Sequence, residues 1–318
     1  METTEPPHPL PHPAAAEASG PPGEKNARTG SAGRGHPFAL SPSRAGDFMQ
    51  CPLLYRFRVV DRLPEPPSAA ATRGTLVHAV LERLFDLPAG QRTLEQAREL
   101  VAPQWQRLLA DNPELAELFT GAGGTDSTGR PDPASAAAEL ADWLAGAGKL
   151  LSTYFTLEDP NRLQPAEREL YVETQLDSGL VLRGYVDRLD IAPGGDMRVV
   201  DYKTGRAPGP AFEGKALFQM KFYALVLWRL RGQVPRRLQL IYLGSGDVIR
   251  YDPVAADLEA TERKIRALWT AIEQALRSGQ WTPKRSKLCG WCHHQSLCPE
   301  FGGTPPPLAP VVPEAAPR

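Results

Sequence analysis

Hydrophobic residues recur at helical spacing in several parts of the chain. Over residues 73–86, Val77, Leu81 and Leu84 fall on one face of a helix, with polar residues on the other face. A serine followed by a proline, as at Ser41, is typical of a helix start. Further helices are predicted from Ser41 to near Cys51 and over 93–118, 134–156, 212–231 and 254–278.

Apolar and polar residues alternate in four other segments, and this period of two indicates strands. Segments 181–191 and 197–203 are separated by the turn-forming run APGGD, which predicts a hairpin. The other strands are predicted over 167–176 and 237–243. Because helices, strands, helix, strand and helix follow one another, we expect a mixed α/β domain with an N-terminal helical insertion at about 88–160.

Composition sets the limits of this domain. Residues 1–36 and 302–318 are rich in proline, glycine and alanine, so we expect both tails to be disordered. A third stretch of this kind, residues 120–135, is expected to be a loop between helices. A single folded domain over 37–301 remains, and the 42% hydrophobic content is enough for its core.

The net charge of −1 provides no global attraction for nucleic acid, so any such contact must come from a local basic patch. The sequence contains no uninterrupted apolar run of the roughly 18 residues that a membrane span needs. It also lacks the apolar segment of a secretory signal. We therefore expect no membrane contact and a cytoplasmic location.

Two aspartates and a lysine lie on the predicted hairpin. Period two puts Asp201 and Lys203 on one face of their strand, and Asp187 lies on the partner strand fourteen residues earlier. Two carboxylates on paired strands can share one hard cation, Mg²⁺ or Mn²⁺, and a nearby ammonium group can stabilise charge on a phosphate. Taken alone, Asp201 and Lys203 would more simply form a surface ion pair of little energetic value.

Two further polar pairs accompany these residues. His78 and Glu82 are four apart on one helix, where a carboxylate could orient a metal-binding imidazole or simply form a surface pair. Gln219 and Tyr223 are also four apart, on the helix that follows the hairpin. They could support Lys203 or contact substrate, or merely stand at the edge of a packed helix.

These segments together resemble the RecB-type nucleases of the PD-(D/E)xK superfamily. The resemblance rests on four runs, in order: GTLVH ending at His78, GYVDRLD around Asp187, DYKTG from Asp201, and Gln219 with Tyr223. It covers roughly residues 38–301 and implies a restriction-endonuclease-like core, a mixed central sheet flanked by helices. Val186 stands where the superfamily name implies a proline, a departure that is usual in the RecB branch.

The resemblance also implies roles for individual residues. His78, Asp187 and Asp201 would bind Mg²⁺ or Mn²⁺ together with the Tyr202 carbonyl oxygen. Lys203 would be the catalytic lysine, and Gln219 and Tyr223 the motif that follows it. No GxxxxGK[ST] loop occurs, so a stand-alone nuclease is expected, without a helicase part.

Cysteines form a second group. Cys289, Cys292 and Cys298 lie within ten residues, and Cys51 stands alone far upstream. The three alternatives are a [4Fe–4S] cluster on all four cysteines, structural zinc, and free thiols. Zinc could be bound by the four thiolates, or by three of them with His293 or His294 in place of Cys51. The arrangement looks like the iron–sulfur branch of the family, which favours a [4Fe–4S] cluster that would join the two ends of the domain.

We expect an exonuclease that hydrolyses phosphodiester bonds of DNA, with single-stranded ends as its substrate, in repair or recombination. A non-catalytic DNA-binding or scaffold module and an endonuclease of repair or CRISPR adaptation are the alternatives. Basic and aromatic residues near the cysteines could contact single strands, or form an ordinary solvated face. They are Arg44, Tyr55, Arg56, Phe57, Arg58, Arg62, Trp281, Lys284, Arg285, Lys287 and Trp291. For Tyr55 and Phe57 the alternative is a place in the core.

Overall fold

The computed structural model describes residues 39–119 and 133–308. The predicted disordered tail 1–36 lies outside the described residues, as do residues 309–318 of the predicted tail 302–318 and residues 120–132 of the loop predicted over 120–135. Residues 302–308 lie against the domain, where Leu308 packs on the core.

A six-stranded mixed sheet forms the centre of the domain, with the strand order β1-β3-β4-β5-β6 and β2 also paired to β3. Its strands are β1 (Ala39–Leu40), β2 (Glu167–Gln175), β3 (Val181–Ile191), β4 (Met197–Lys203), β5 (Arg237–Tyr242) and β6 (Asp247–Tyr251). The pairs β1–β3 and β4–β5 are parallel, and the others are antiparallel. Strand β2 pairs with one edge of β3 along most of its length. On the other edge of β3, β1 pairs with the first residues of the strand and β4 with the last ones.

Eight α-helices surround this sheet in the described part of the chain. They are α1 (Pro42–Gln50), α2 (Pro52–Tyr55), α3 (Ala69–Leu84), α4 (Leu94–Glu99), α5 (Val101–Asp111), α6 (Pro133–Leu157), α7 (Glu213–Arg231) and α8 (Ala255–Ser278). The Ser41 side chain accepts a hydrogen bond from the Arg44 backbone N–H and so caps α1. Gly232 and Gly279 end α7 and α8 in the left-handed conformation that glycine adopts without strain.

Two hydrophobic cores cover the two faces of the sheet. One contains residues of α1, α7 and α8 with alternate residues of β4 and β5, including Val199 and Leu240. The other contains residues of α3 to α6 with the intervening strand residues, including Val200 and Ile241. The predicted α/β fold with a mixed sheet flanked by helices is therefore confirmed. Among the residues described, no helix combines the length and the apolarity needed to cross a membrane.

The prediction of one continuous helix over 93–118 is wrong. It is divided into α4, α5 and a 3₁₀ helix over Pro113–Phe119. Pro103 has no N–H to bond the Glu99 carbonyl and would clash with it, and α4 ends at Glu99. Pro113 holds Asn112 away from helical geometry and so ends α5. Strands β1 and β6 were not predicted; both are short.

Candidate metal and catalytic site

The two aspartates of the hairpin stand where β3 and β4 separate. The pair Arg188–Val200 lies at the end of the ladder between these strands, and the next positions in the same register are Asp187 and Asp201. The Asp187 carboxylate instead accepts a hydrogen bond from the Tyr202 backbone N–H at 2.8 Å. Both aspartates line one cleft of about 1320 Å³.

Helix α3 brings His78 to the same point. Its Nε2 atom lies 2.8 Å from the Tyr202 carbonyl oxygen, and its Nδ1 atom lies 3.4 Å from Asp187 Oδ2. A second carboxylate lies near this ring, and it is not Glu82, the residue that helical spacing suggested. It is Glu169, whose Oε1 atom lies 3.9 Å from His78 Nδ1.

Glu169 is the residue of this site that sequence reasoning missed. It lies on β2, opposite Asp187 in the register defined by the pairs on either side. Its φ angle is 45°, a left-handed value that costs energy in a residue with a side chain. The predicted strand 167–176 included this position, but alternation alone does not reveal where a strand twists its backbone.

Lys203 is held between a carboxylate and an amide. Its Nζ atom lies 2.7 Å from Asp201 Oδ2 and donates a hydrogen bond to Gln219 Oε1 at 2.9 Å. The amide nitrogen of Gln219 donates to Asp201 Oδ1 at 2.9 Å and contacts the Tyr223 hydroxyl at 3.4 Å. Gln219 therefore links Asp201, Lys203 and Tyr223 into one network.

Glycine at position 184 makes room for this network. A Cβ atom there would stand 2.7 Å from a ring carbon of Tyr223 and 3.5 Å from Pro42 Cδ. Helix α7 can therefore approach β3 closely enough to bring Tyr223 over the strand. The side chain of Tyr202 lies on the other face, buried in the core that includes α3 to α6.

The charges in the site shift one another's protonation. Burial disfavours the imidazolium form of His78, but Asp187, Asp201 and Glu169 outweigh this and raise the pKa of His78 to about 9. Burial and the charge of Asp187 raise the pKa of Asp201 to about 6. Burial opposes the charge on Lys203, yet Asp201 and Asp187 keep the pKa of Lys203 above its usual value, so it stays protonated.

This donor set fits a hard divalent cation. One donor atom from each of His78, Glu169 and Asp187 lies within 4.8 Å of the other two. The Tyr202 carbonyl oxygen, 2.8 Å from His78 Nε2, is a further oxygen donor beside them. Asp201 lies in the same cleft, and a positive ion would relieve the repulsion that raises its pKa.

Comparison with known families decides what kind of protein carries this site. A family model described as "PD-(D/E)XK nuclease superfamily" matches residues 39–299. The chain belongs to the PD-(D/E)XK nuclease superfamily. The family resemblance inferred from the motifs is confirmed at this level, and nucleases of the superfamily use divalent metal ions.

Individual relatives of this nuclease are distant. The Gene 69 protein of Mycobacterium phage D29 is 24% identical over 275 residues, which are 82% of this chain and 96% of the relative. The Gene 69 protein of Mycobacterium phage L5 is 24% identical over 287 residues, with the same coverage. The crystal structure of a "Putative exonuclease" from Eubacterium rectale superposes with a TM-score of 0.50 at 13% identity, over 81% of this chain and 88% of that one. It shares the fold.

The four cysteines of the nuclease line one pocket, although Cys51 is more than 230 residues from the other three. Two backbone N–H groups point at their sulfurs: Lys284 N lies 3.4 Å from Cys51 Sγ, and Ser286 N lies 3.3 Å from Cys289 Sγ. Among the described residues, no three cysteine sulfurs lie within 4.8 Å of one another. Tetrahedral zinc would hold them about 3.8 Å apart.

The two histidines considered as zinc ligands are placed elsewhere. His294 is buried, its Nε2 atom lies 2.8 Å from Glu65 Oε1, and its ring packs on Phe57. His293 is exposed and does not line the cysteine pocket. Neither position supports a histidine ligand in place of Cys51.

Most basic and aromatic residues suggested as DNA contacts have structural partners. Tyr55 and Phe57 are core residues, and buried Trp281 stacks on Tyr55 with ring centroids 6.0 Å apart. The guanidinium of Arg56 bonds Asp61, and that of Arg58 bonds both Asp47 and Glu65. By contrast, Trp291 is 77% exposed, and Arg44 lines the cleft of the metal site.

Proposed function

We propose that this nuclease is a metal-dependent deoxyribonuclease that acts on single-stranded DNA ends, in repair or recombination. The observation that carries the proposal is that the side chains of His78, Asp187, Asp201 and Lys203 meet in one open cleft. Glu169 and the Tyr202 carbonyl oxygen lie beside the His78 ring. A module that only binds DNA gains nothing from acidic groups facing phosphates.

His78, Asp187, Asp201 and the Tyr202 carbonyl oxygen would hold Mg²⁺ or Mn²⁺, with Glu169 as a further carboxylate within reach. A divalent cation bound there would supply Lewis-acid activation of a water molecule and would neutralise charge on the scissile phosphate. The Asp187 carboxylate has a second task, since its hydrogen bond to Tyr202 N holds the carbonyl-bearing backbone in place.

Lys203 would neutralise the charge that grows on the phosphate oxygens as a water attacks. Its raised pKa keeps it cationic at neutral pH, so it does not act as a general base there. Gln219 would aim the ammonium group and hold the Asp201 carboxylate at the same time. Tyr223, behind Gln219, would limit the freedom of its amide.

A substrate with a flexible backbone suits the shape and charge of the cleft. Besides the metal site, the cleft is lined by Arg44, Arg183, Lys215 and Lys264, which can neutralise phosphates on either side of the bond to be cut. The rival proposals are cleavage within a strand and binding without cleavage.

For the second metal centre we propose a [4Fe–4S] cluster on Cys51, Cys289, Cys292 and Cys298. The shared pocket and the two N–H groups directed at sulfur support it. Its role would be structural. Cys51 directly follows α1, and α1 forms part of the cleft wall from Pro42 to Gln50. The cluster would therefore hold this wall against the C-terminal segment.

The test is digestion of end-labelled DNA by the full chain with Mn²⁺ and with EDTA. We expect cleavage of linear single strands only with the metal, and none of circular single strands. Cleavage of the circle would replace the exonuclease by the endonuclease alternative.

Two variants test the site assignment. Lys203→Ala and Asp201→Ala should abolish cleavage while the circular dichroism spectrum stays unchanged. The matched control is Lys221→Ala, because Lys221 also forms an ion pair, with Asp257 at 3.6 Å, but lies outside the cleft. Full activity in both site variants would refute the assignment.

A further inference from the structure

Two tyrosines form an exposed aromatic pair at the rim of the cleft. Tyr171 on β2 and Tyr185 on β3 are directly opposite in the sheet register. Their ring centroids lie 5.2 Å apart with an angle of 54° between the rings. The two side chains are 46% and 49% exposed, which is unusual for a large aromatic pair in the middle of paired strands.

This pair is continuous with the metal site. Tyr171 follows Glu169 by two residues on β2, and Tyr185 precedes Asp187 by two residues on β3. Two residues of strand span about 6.6 Å, which is within the reach of one extended nucleotide. Both tyrosines line the same cleft as the aspartates.

Positive charge continues beyond the tyrosines. Arg183, two residues before Tyr185, and Arg44 on α1 both line the cleft. Burial and the nearby guanidinium of Arg183 lower the pKa of Arg44, so the two cations repel each other. Arg44 donates a hydrogen bond to the Ala39 carbonyl oxygen at 3.2 Å, and the Arg183 guanidinium lies beside the Tyr171 hydroxyl. A phosphate placed between them would relieve this repulsion.

We propose that Tyr171 and Tyr185 form a stacking platform for an unpaired base next to the scissile phosphate, with Arg44 and Arg183 on the following phosphate. The occupant is single-stranded DNA, because a base within a duplex presents its edge rather than its face to such a platform. The inference rests on the proposed nuclease function and identifies the residues that select a single strand.

The test measures binding of a fluorescent single-stranded oligonucleotide by anisotropy in EDTA, with a gel to show that the strand stays intact. The double variant Tyr171→Leu/Tyr185→Leu removes the rings, and Tyr171→Phe/Tyr185→Phe keeps them. One stacked base is worth about 1–3 kcal/mol, so the leucine variant should bind about 5- to 150-fold more weakly. The phenylalanine variant should bind like the wild type.

Three controls separate stacking from general effects. Phe212→Leu removes an aromatic ring that is 60% exposed but does not line the cleft, and it should leave binding unchanged. A blunt duplex should lose little affinity in the leucine variant. Substituting abasic sites in the oligonucleotide should weaken wild-type binding and abolish the difference between wild type and the leucine variant.

Unchanged single-strand affinity in the leucine variant, or an equal loss on the duplex, would overturn the platform. Either result is distinct from failure of the proposed function, which would show as wild-type protein that does not cleave DNA with Mn²⁺. Melting curves of all variants check folding, and the exposed tyrosines should change them little.

Discussion

Replacing Gln219 by methionine tests how the cleft controls its own charges. Methionine is close to glutamine in length but cannot hydrogen-bond as an amide. The change removes the donor to Asp201 Oδ1 and the acceptor for Lys203 Nζ, both at 2.9 Å. None of the residues proposed to bind the metal is itself replaced.

The expected size of the effect follows from these two contacts. A hydrogen bond to a charged group contributes about 1.5–3 kcal/mol, and 1.36 kcal/mol corresponds to one pKa unit. Loss of the amide donor disfavours the ionised carboxylate, so the pKa of Asp201 should rise from about 6 by roughly one unit. A less constrained Lys203 should lower the cleavage rate by about 10- to 100-fold.

The assay is a pH–rate profile of kcat/KM on single-stranded DNA at subsaturating Mn²⁺. We expect the acidic limb of the profile to move to higher pH in Gln219→Met. The matched control is Gln239→Met, since Gln239 donates to the buried Glu158 carboxylate at 3.1 Å but does not line the cleft. The Gln239→Met change should lower the free energy of unfolding without moving the acidic limb of the profile. An unmoved limb in Gln219→Met, or equal movement in both variants, would refute the reasoning.

Three further predictions concern the rest of the molecule. Cys289→Ala should reduce iron content and melting temperature more than it changes the chemistry; full iron content with unchanged melting would contradict this. In metal-free protein the pKa of His78 lies near 9, above its unfolded value of about 6.5, so the protonated imidazole stabilises the folded state. This stabilisation is complete below pH 6.5 and is lost as pH rises through 9. The melting temperature should therefore fall across that window in wild type and less in His78→Gln, and equal slopes would count against it. Arg188→Met leaves the buried Glu158 carboxylate without the guanidinium that holds it at 2.8 and 3.0 Å. Chemical denaturation should show a loss of about 3–5 kcal/mol, and a loss below about 1 kcal/mol would show that the pair contributes little.

Local sequence predicted most of the helices and strands because the periodicity of apolar residues records which face is buried. The segment around Val199 to Lys203 shows this well, since alternate residues face different cores and Asp201 and Lys203 line the cleft together. The failure at 93–118 was also local in origin, because Pro103 and Pro113 were present in the sequence and break the helix.

Tertiary structure decided which residues far apart in the sequence come together. Four cysteines can be counted in the sequence, but only the packing of α1 against the C-terminal segment brings Cys51 to the other three. Helical spacing predicted Glu82 as the partner of His78, whereas the register of β2 against β3 puts Glu169 beside His78. Glu169 itself has a left-handed backbone conformation, which no pattern of apolar positions records. The residue types and their order thus determined the chemistry available to this nuclease. Strand register and backbone twist decided which of these groups meet, because they depend on contacts between segments far apart in the chain.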